Sequence, residues 1–142
     1  MMTKAYLTIL FIPRRLSLKI GSLGELNLEK GYYLYIGSGG RNIYKRISRH
    51  FRLAKKRKWH IDYITNIYPA IDAFIVLGVD EYALSQHFYK KGLKFIPKFG
   101  ATDKKSISHL YYLNNKSQVE DVIMELKKSY NIMGVNYSQL HI

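Results

Sequence analysis

Residues 31–50, "GYYLYIGSGGRNIYKRISRH", change period half way along, and this change limits what the chain can fold into more than any other feature. On a strand, Tyr33 and Tyr35 share one face while Tyr32, Leu34 and Ile36 take the other. From Asn42 the apolar residues Ile43, Ile47 and Phe51 recur at every fourth position, which is one stripe of a helix. Between the two lie Gly37, Gly39 and Gly40, a loop in which the backbone can approach another group closely. A tyrosine-rich strand thus hands over directly to a helix whose apolar side is narrow.

The other side of that helix is cationic. From Arg41 to Lys58, nine of 18 residues are Lys or Arg and none is Asp or Glu. Like charges at helical spacing repel, and a solvated face usually mixes signs. Phosphates would relieve the repulsion, so Lys45, Arg49, Arg52, Lys55, Lys56, Arg57 and Lys58 are the candidate nucleic-acid contacts. The whole chain agrees: 23 Lys plus Arg against 10 Asp plus Glu give a net charge of +13 in 142 residues. A polyanion is the expected partner. An anionic membrane surface is the competitor, but no apolar run approaches the ~18 residues of a spanning helix. The chain has no cysteine, which removes disulfides and thiolate metal sites and suits a cytoplasmic protein.

The length suits a single domain covering 1–142. Ala5 to Ile12 reads as a strand closed by Pro13, and "LSLKIG" (16–21) as a hairpin strand paired with it. Ser22 to Gly31 reads as turn. Further along come a short helix at 61–67, a strand at 71–77, and a helix begun by Asp80 and stopped by Gly92. "SHLYYL" (108–113) reads as a strand, and Ser117 with Glu120 as the capping box of a last helix. For 131–142 a helical extension, an added strand and a dimer contact all stay open. The expected class is α+β: helices on a small, mostly antiparallel sheet.

Several residues can carry chemistry, each with a plainer alternative. Tyr35 stands at the lip between strand and cationic helix, where a phenol can bind a phosphate or, with a lowered pKa, act as a base. Arg46 and His50 lie one helical turn apart, and a guanidinium fork suits a phosphoryl group. Both are equally surface cations by position. His60 is a candidate for proton transfer or orientation, or a partner of Asp62. Glu81 falls in the first turn of its helix, where the helix dipole already favours an anion. A magnesium ion that keeps its waters needs little more than one such carboxylate.

Taken together, "AYL" at 5–7, "YIG" at 35–37, "YKRISRHF" at 44–51, "WHIDY" at 59–63 and "DEYALSQHF" at 80–88 resemble the GIY-YIG nuclease family, most closely its Uri-type branch. "FGATD" and "SHLYYL" are similar to the branch's closing segment, so the resemblance spans about 4–113 and leaves 114–142 as a C-terminal helix and tail. It implies a central three-stranded antiparallel sheet with an added hairpin strand, flanked by helices. It also implies hydrolysis of DNA phosphodiester bonds with Mg2+ or Mn2+. Tyr6 and Tyr35 match the two motif tyrosines, Arg46 the family arginine and Glu81 the metal-binding glutamate. His50 and His60 match positions where several members carry histidine. Lys4 stands where the first motif has glycine. DNA is the expected substrate, with single-stranded and branched forms and RNA left open, and a non-catalytic nucleic-acid-binding module of the same fold is the alternative.

Overall fold

The first strand, β1 (Lys4–Ile12), has no polar face. Seven of its nine residues, Thr8 included, are buried, so it must run through the middle of a sheet covered on both sides. The computed structural model, which describes residues 3–53, 55–101 and 105–140, places it there. β1 pairs antiparallel with β4 (Gly31–Ser38) on one side and β5 (Asp72–Leu77) on the other. Outside them lie β7 (Leu110–Leu113) and β6 (Lys94–Phe95) at one edge, and β8 (Asn131–Gly134) at the other. The protein is therefore α+β, and its sheet has six strands where three with an added hairpin strand were expected. The excess comes from the two-residue β6, from β7, and from β8, which the tail contributes by pairing with β5.

Strand alternation sorts the core into two layers. Tyr6, Leu10, Tyr33, Tyr35 and Ile75 point to a layer filled by Ile43 and Ile47 of α1 (Ile43–His50) and by Ile61 and Ile64 of α2 (His60–Thr65). Leu7, Ile9, Leu34, Ile36 and Val76 point the opposite way, onto Leu84 and Phe88 of α3 (Glu81–Lys90) and Val119, Ile123 and Leu126 of α4 (Lys116–Ser129). The expected division of β4 into a Tyr33/Tyr35 face and a Tyr32/Leu34/Ile36 face is what packs.

Two local expectations change. Residues 16–20 form β2 (Leu16–Ile20), but it pairs with β3 (Gly24–Leu28) in a separate two-stranded sheet and not with β1. The span from Ser22 to Gly31 is thus half strand; its alternating Leu26 and Leu28 pack toward the α1/α2 layer. Helix α4 starts a residue before Ser117, with Asn115 as N-cap accepting from the Gln118 N–H at 2.9 Å. Asn holds this position as well as Ser does, so the cap lies two residues before the expected Ser117. Among the described residues no helix is long and apolar enough to cross a membrane. Thr102 to Lys104, with the Asp103 of "FGATD", lie outside the described residues.

Candidate active site

The β1/β4 register builds the first half of the site. Tyr6 lies opposite Gly37 and Thr8 opposite Tyr35, so both tyrosines sit on one face of adjacent strands. The Tyr6 ring lies directly over Gly37. A Cβ at that position would fall inside the Tyr6 ring's van der Waals envelope, so the "YIG" glycine is required by close approach. A Cβ at Gly39 would likewise strike the Lys4 carbonyl, which as backbone cannot yield. Gly37 is a strand residue, since β4 runs on through Ser38; the chain turns only afterwards, at Gly40 with φ 132°.

Helix α1 then supplies Arg46 and His50 in different roles. Burying Ile43 and Ile47 leaves Arg46 half-buried at the cavity wall, where its Nη1 donates to the Ser38 carbonyl at 3.4 Å. His50 is wholly buried, a surface cation by neither position nor charge. Its Nε2 lies 2.7 Å from the Tyr6 hydroxyl, and its ring packs 5.5 Å from Tyr6 and 5.4 Å from Tyr35, centroid to centroid. Burial pushes the His50 pKa down to about 3, so the ring is neutral. Burial also pushes the phenols of Tyr6 and Tyr35 up, with Tyr35 adding to the rise at Tyr6 and Glu81 to that at Tyr35, against the opposing charge of Arg46. The direction is opposite to the lowered pKa that a free-standing phenolate base requires.

The third element is α3. Asp80 caps it by accepting from the Ala83 N–H at 2.8 Å, which sets Glu81 as the first helical residue. Its carboxylate, partly exposed, lies 3.9 Å from Nδ1 of the buried His109. Tyr6, Tyr35, Gly37, Arg46, His60 and Glu81 all line one cavity of about 470 Å³, together with Ser38, Lys58, Trp59, Gly100 and His109. His60 is fixed by the Gly100 N–H, which donates to its Nδ1 at 2.9 Å; the proton of the neutral ring therefore sits on Nε2.

Among the described residues no group of three or more His, Asp or Glu could enclose a metal ion. The donor set nonetheless fits a hard divalent cation: one carboxylate, Glu81, on an open cavity large enough for the waters such an ion keeps. It does not fit a zinc ion caged by protein ligands.

The basic segment divides in two. Arg49 donates to both oxygens of the fully buried Asp62 at 2.8–3.2 Å and to the Lys56 carbonyl at 2.6 Å. Lys55 donates to Arg52 O, Thr65 Oγ1 and Asn66 Oδ1 at 2.7, 2.8 and 3.1 Å, and burial lowers its pKa to about 8. These two of the seven candidate contacts tie the connector onto α2. Lys45, Arg52, Lys56, Arg57 and Lys58 are exposed. Burial alone would raise the Asp62 carboxyl, but Arg49 and the N–H groups of Trp59 and Lys58 outweigh it and hold the pKa low.

His109 and Trp59 are two ring-bearing cavity residues to which the sequence assigned no role. His109 joins the end of β4 to the 99–100 turn through its backbone, accepting from Ile36 N–H and donating to Phe99 O. The one signal for it was a histidine leading an otherwise aromatic and aliphatic strand.

A family model described as "Domain of unknown function DUF123" matches residues 5–132. No curated protein and no solved structure matches the chain.

Proposed function

The chain belongs to the DUF123 family, and from its site we propose that it is a divalent-metal-dependent endonuclease of the GIY-YIG type, Uri branch, hydrolysing DNA phosphodiester bonds. The observation that carries this reading is convergence. Tyr6, Tyr35, Arg46, His60 and Glu81 come from five elements, yet they line a single cavity beside the exposed cations of the connector.

The geometry suits hydrolysis by a water that Tyr6 positions. In the tautomer where His50 Nε2 accepts, the Tyr6 hydroxyl donates inward and turns its oxygen lone pairs to the cavity. A water attacking phosphorus donates to the Tyr6 oxygen, which the Tyr6–His50 hydrogen bond aims at it, and gives its proton to a phosphate oxygen, so neither a standing phenolate nor a charged His50 is needed. Arg46 binds two phosphoryl oxygens through its fork, stabilising the charge that grows as the new P–O bond forms and the old one breaks. His60 donates from Nε2 to the same group, and Tyr35 closes the wall beside it. Glu81 would hold the divalent ion, which when bound neutralises charge on the phosphate and on the departing oxygen. The exposed lysines and arginines hold the flanking backbone without regard to sequence.

The raised phenol pKa values favour a second reading, a binding module of the same fold that does not cut. Labelled single-stranded, duplex and branched DNA incubated with magnesium or manganese separates the two. Cleavage by the wild type that Glu81→Ala abolishes supports the nuclease. Cleavage that survives Glu81→Ala removes the metal assignment, and no cleavage of any substrate leaves the binding module.

A further inference from the structure

Trp59 is the single tryptophan of the chain, and it lines the cavity beside Arg46 and Lys58. Part of its ring packs on the core near His50, at 6.2 Å between centroids, and part stays exposed. Its backbone is clamped from both sides: Trp59 N–H donates to Asp62 Oδ2 at 2.9 Å, and Asp62 N–H donates back to the Trp59 carbonyl at 3.0 Å. Asp62 is itself locked by Arg49. The indole is thus a rigid aromatic surface at a polar, cationic opening, with Arg49 Cζ and Lys58 Nζ 5.1 and 5.4 Å from its centre. One turn further along, the Arg57 guanidinium lies over Tyr63 at 4.7 Å. A second aromatic and cation pair therefore lies a turn along the same helix, outside the cavity lining.

A duplex offers such a strip only its phosphates, because its bases are stacked on each other. An unpaired strand offers a base face beside every phosphate, and base stacking on aromatic and guanidinium planes in a basic groove is how single strands are held. We propose that Trp59 stacks the unpaired base next to the phosphate that Arg46 holds, and that Arg57 with Tyr63 takes a base further along, so that the substrate is a single-stranded stretch of DNA. This rests on the cavity being the phosphate site.

The lone tryptophan makes the test direct. Wild-type protein in EDTA, where nothing is cut, is titrated with a short oligo-dT and with a blunt duplex of equal phosphate content while intrinsic emission is followed. The single strand quenches Trp59 and the duplex leaves it nearly unchanged. With a labelled oligonucleotide followed by anisotropy, Trp59→Ala weakens single-strand binding about 10-fold and Trp59→Tyr by much less, while duplex affinity moves by less than about 2-fold. Equal quenching by both DNAs, or equal weakening of both by Trp59→Ala, overturns the proposal. A protein that cuts DNA without preferring single strands keeps the nuclease reading and loses this one. A protein that cuts nothing, yet is quenched by the single strand alone, keeps the stacking site and loses the nuclease reading.

Discussion

The Tyr6 hydroxyl and His50 Nε2 meet at 2.7 Å, with His50 wholly buried beneath the cavity that Tyr6 lines. In either tautomer the other ring nitrogen, His50 Nδ1, has no hydrogen-bond partner among the described residues. A buried polar atom left in this state costs stability.

Tyr6→Phe keeps the ring over Gly37 and removes only the oxygen. If that oxygen holds the attacking water, cleavage falls about 100-fold or more, while stability falls by about 1–3 kcal/mol from the orphaned histidine. Single-turnover cleavage and urea unfolding of the same variant separate the two effects. A variant that folds and cuts at the wild-type rate removes Tyr6 from the chemistry.

His50 also makes a prediction about acid. Its folded pKa is lowered to about 3 by burial, below the ~6.5 of an unfolded chain. Above about pH 6.5 neither state is protonated and the group contributes nothing to the pH dependence. Below that value the unfolded chain takes up a proton that the folded chain refuses, so stability falls by up to about 1.4 kcal/mol per pH unit. His50→Gln removes this slope between about pH 6.5 and 4.5, before Asp62, whose pKa is held low, begins to protonate. Equilibrium unfolding across that range, wild type against variant, measures it. Equal slopes would place His50 in contact with water.

In the proposed nuclease His109 would be a positioning residue for Glu81, whose carboxylate lies 3.9 Å from the almost fully buried ring. A group that orients a metal-binding carboxylate typically changes metal affinity by about 10-fold or more when removed. His109→Ala should therefore raise the magnesium concentration for half-maximal cleavage by about that factor, with the rate at saturating magnesium much less affected. His109→Gln restores part of the loss. A fall in the saturated rate alone, at unchanged magnesium dependence, assigns His109 a different role.

The sequence made the period-two faces of β4 legible because each side of that strand is buried against a different helix pair. It placed Arg46 on a helix face and Glu81 in a first helical turn, and both side chains line the cavity. What it hid depended on depth and pairing. Nothing local distinguishes His50, which is buried beneath Tyr6, from His60, which lines the cavity ten residues on. The pairing of β2 with β3 was hidden because both strands are short and half-exposed, and their alternation suits pairing with any neighbour. Sheet width was hidden for a similar reason: β8 has no fully buried residue to mark it.

The cationic segment shows how a charge count misleads when one buried carboxylate is present. Arg49 and Lys56 looked alike in sequence, yet Arg49 is paired with Asp62, which has no exposed surface, while Lys56 is exposed. Arg49→Ala leaves Asp62 charged, buried and short of its main partner, so it costs about 3 kcal/mol or more. The salt dependence of DNA binding by whatever protein stays folded should be unchanged. Lys56→Ala should alter stability by less than about 0.5 kcal/mol and lower the slope of log affinity against log salt by about 1 if it contacts a phosphate. Thermal unfolding and a salt titration of both variants decide the matter. A reduced salt slope in Arg49→Ala would mean that Arg49 leaves Asp62 to reach DNA, and the clamp on Trp59 would then have to open on binding.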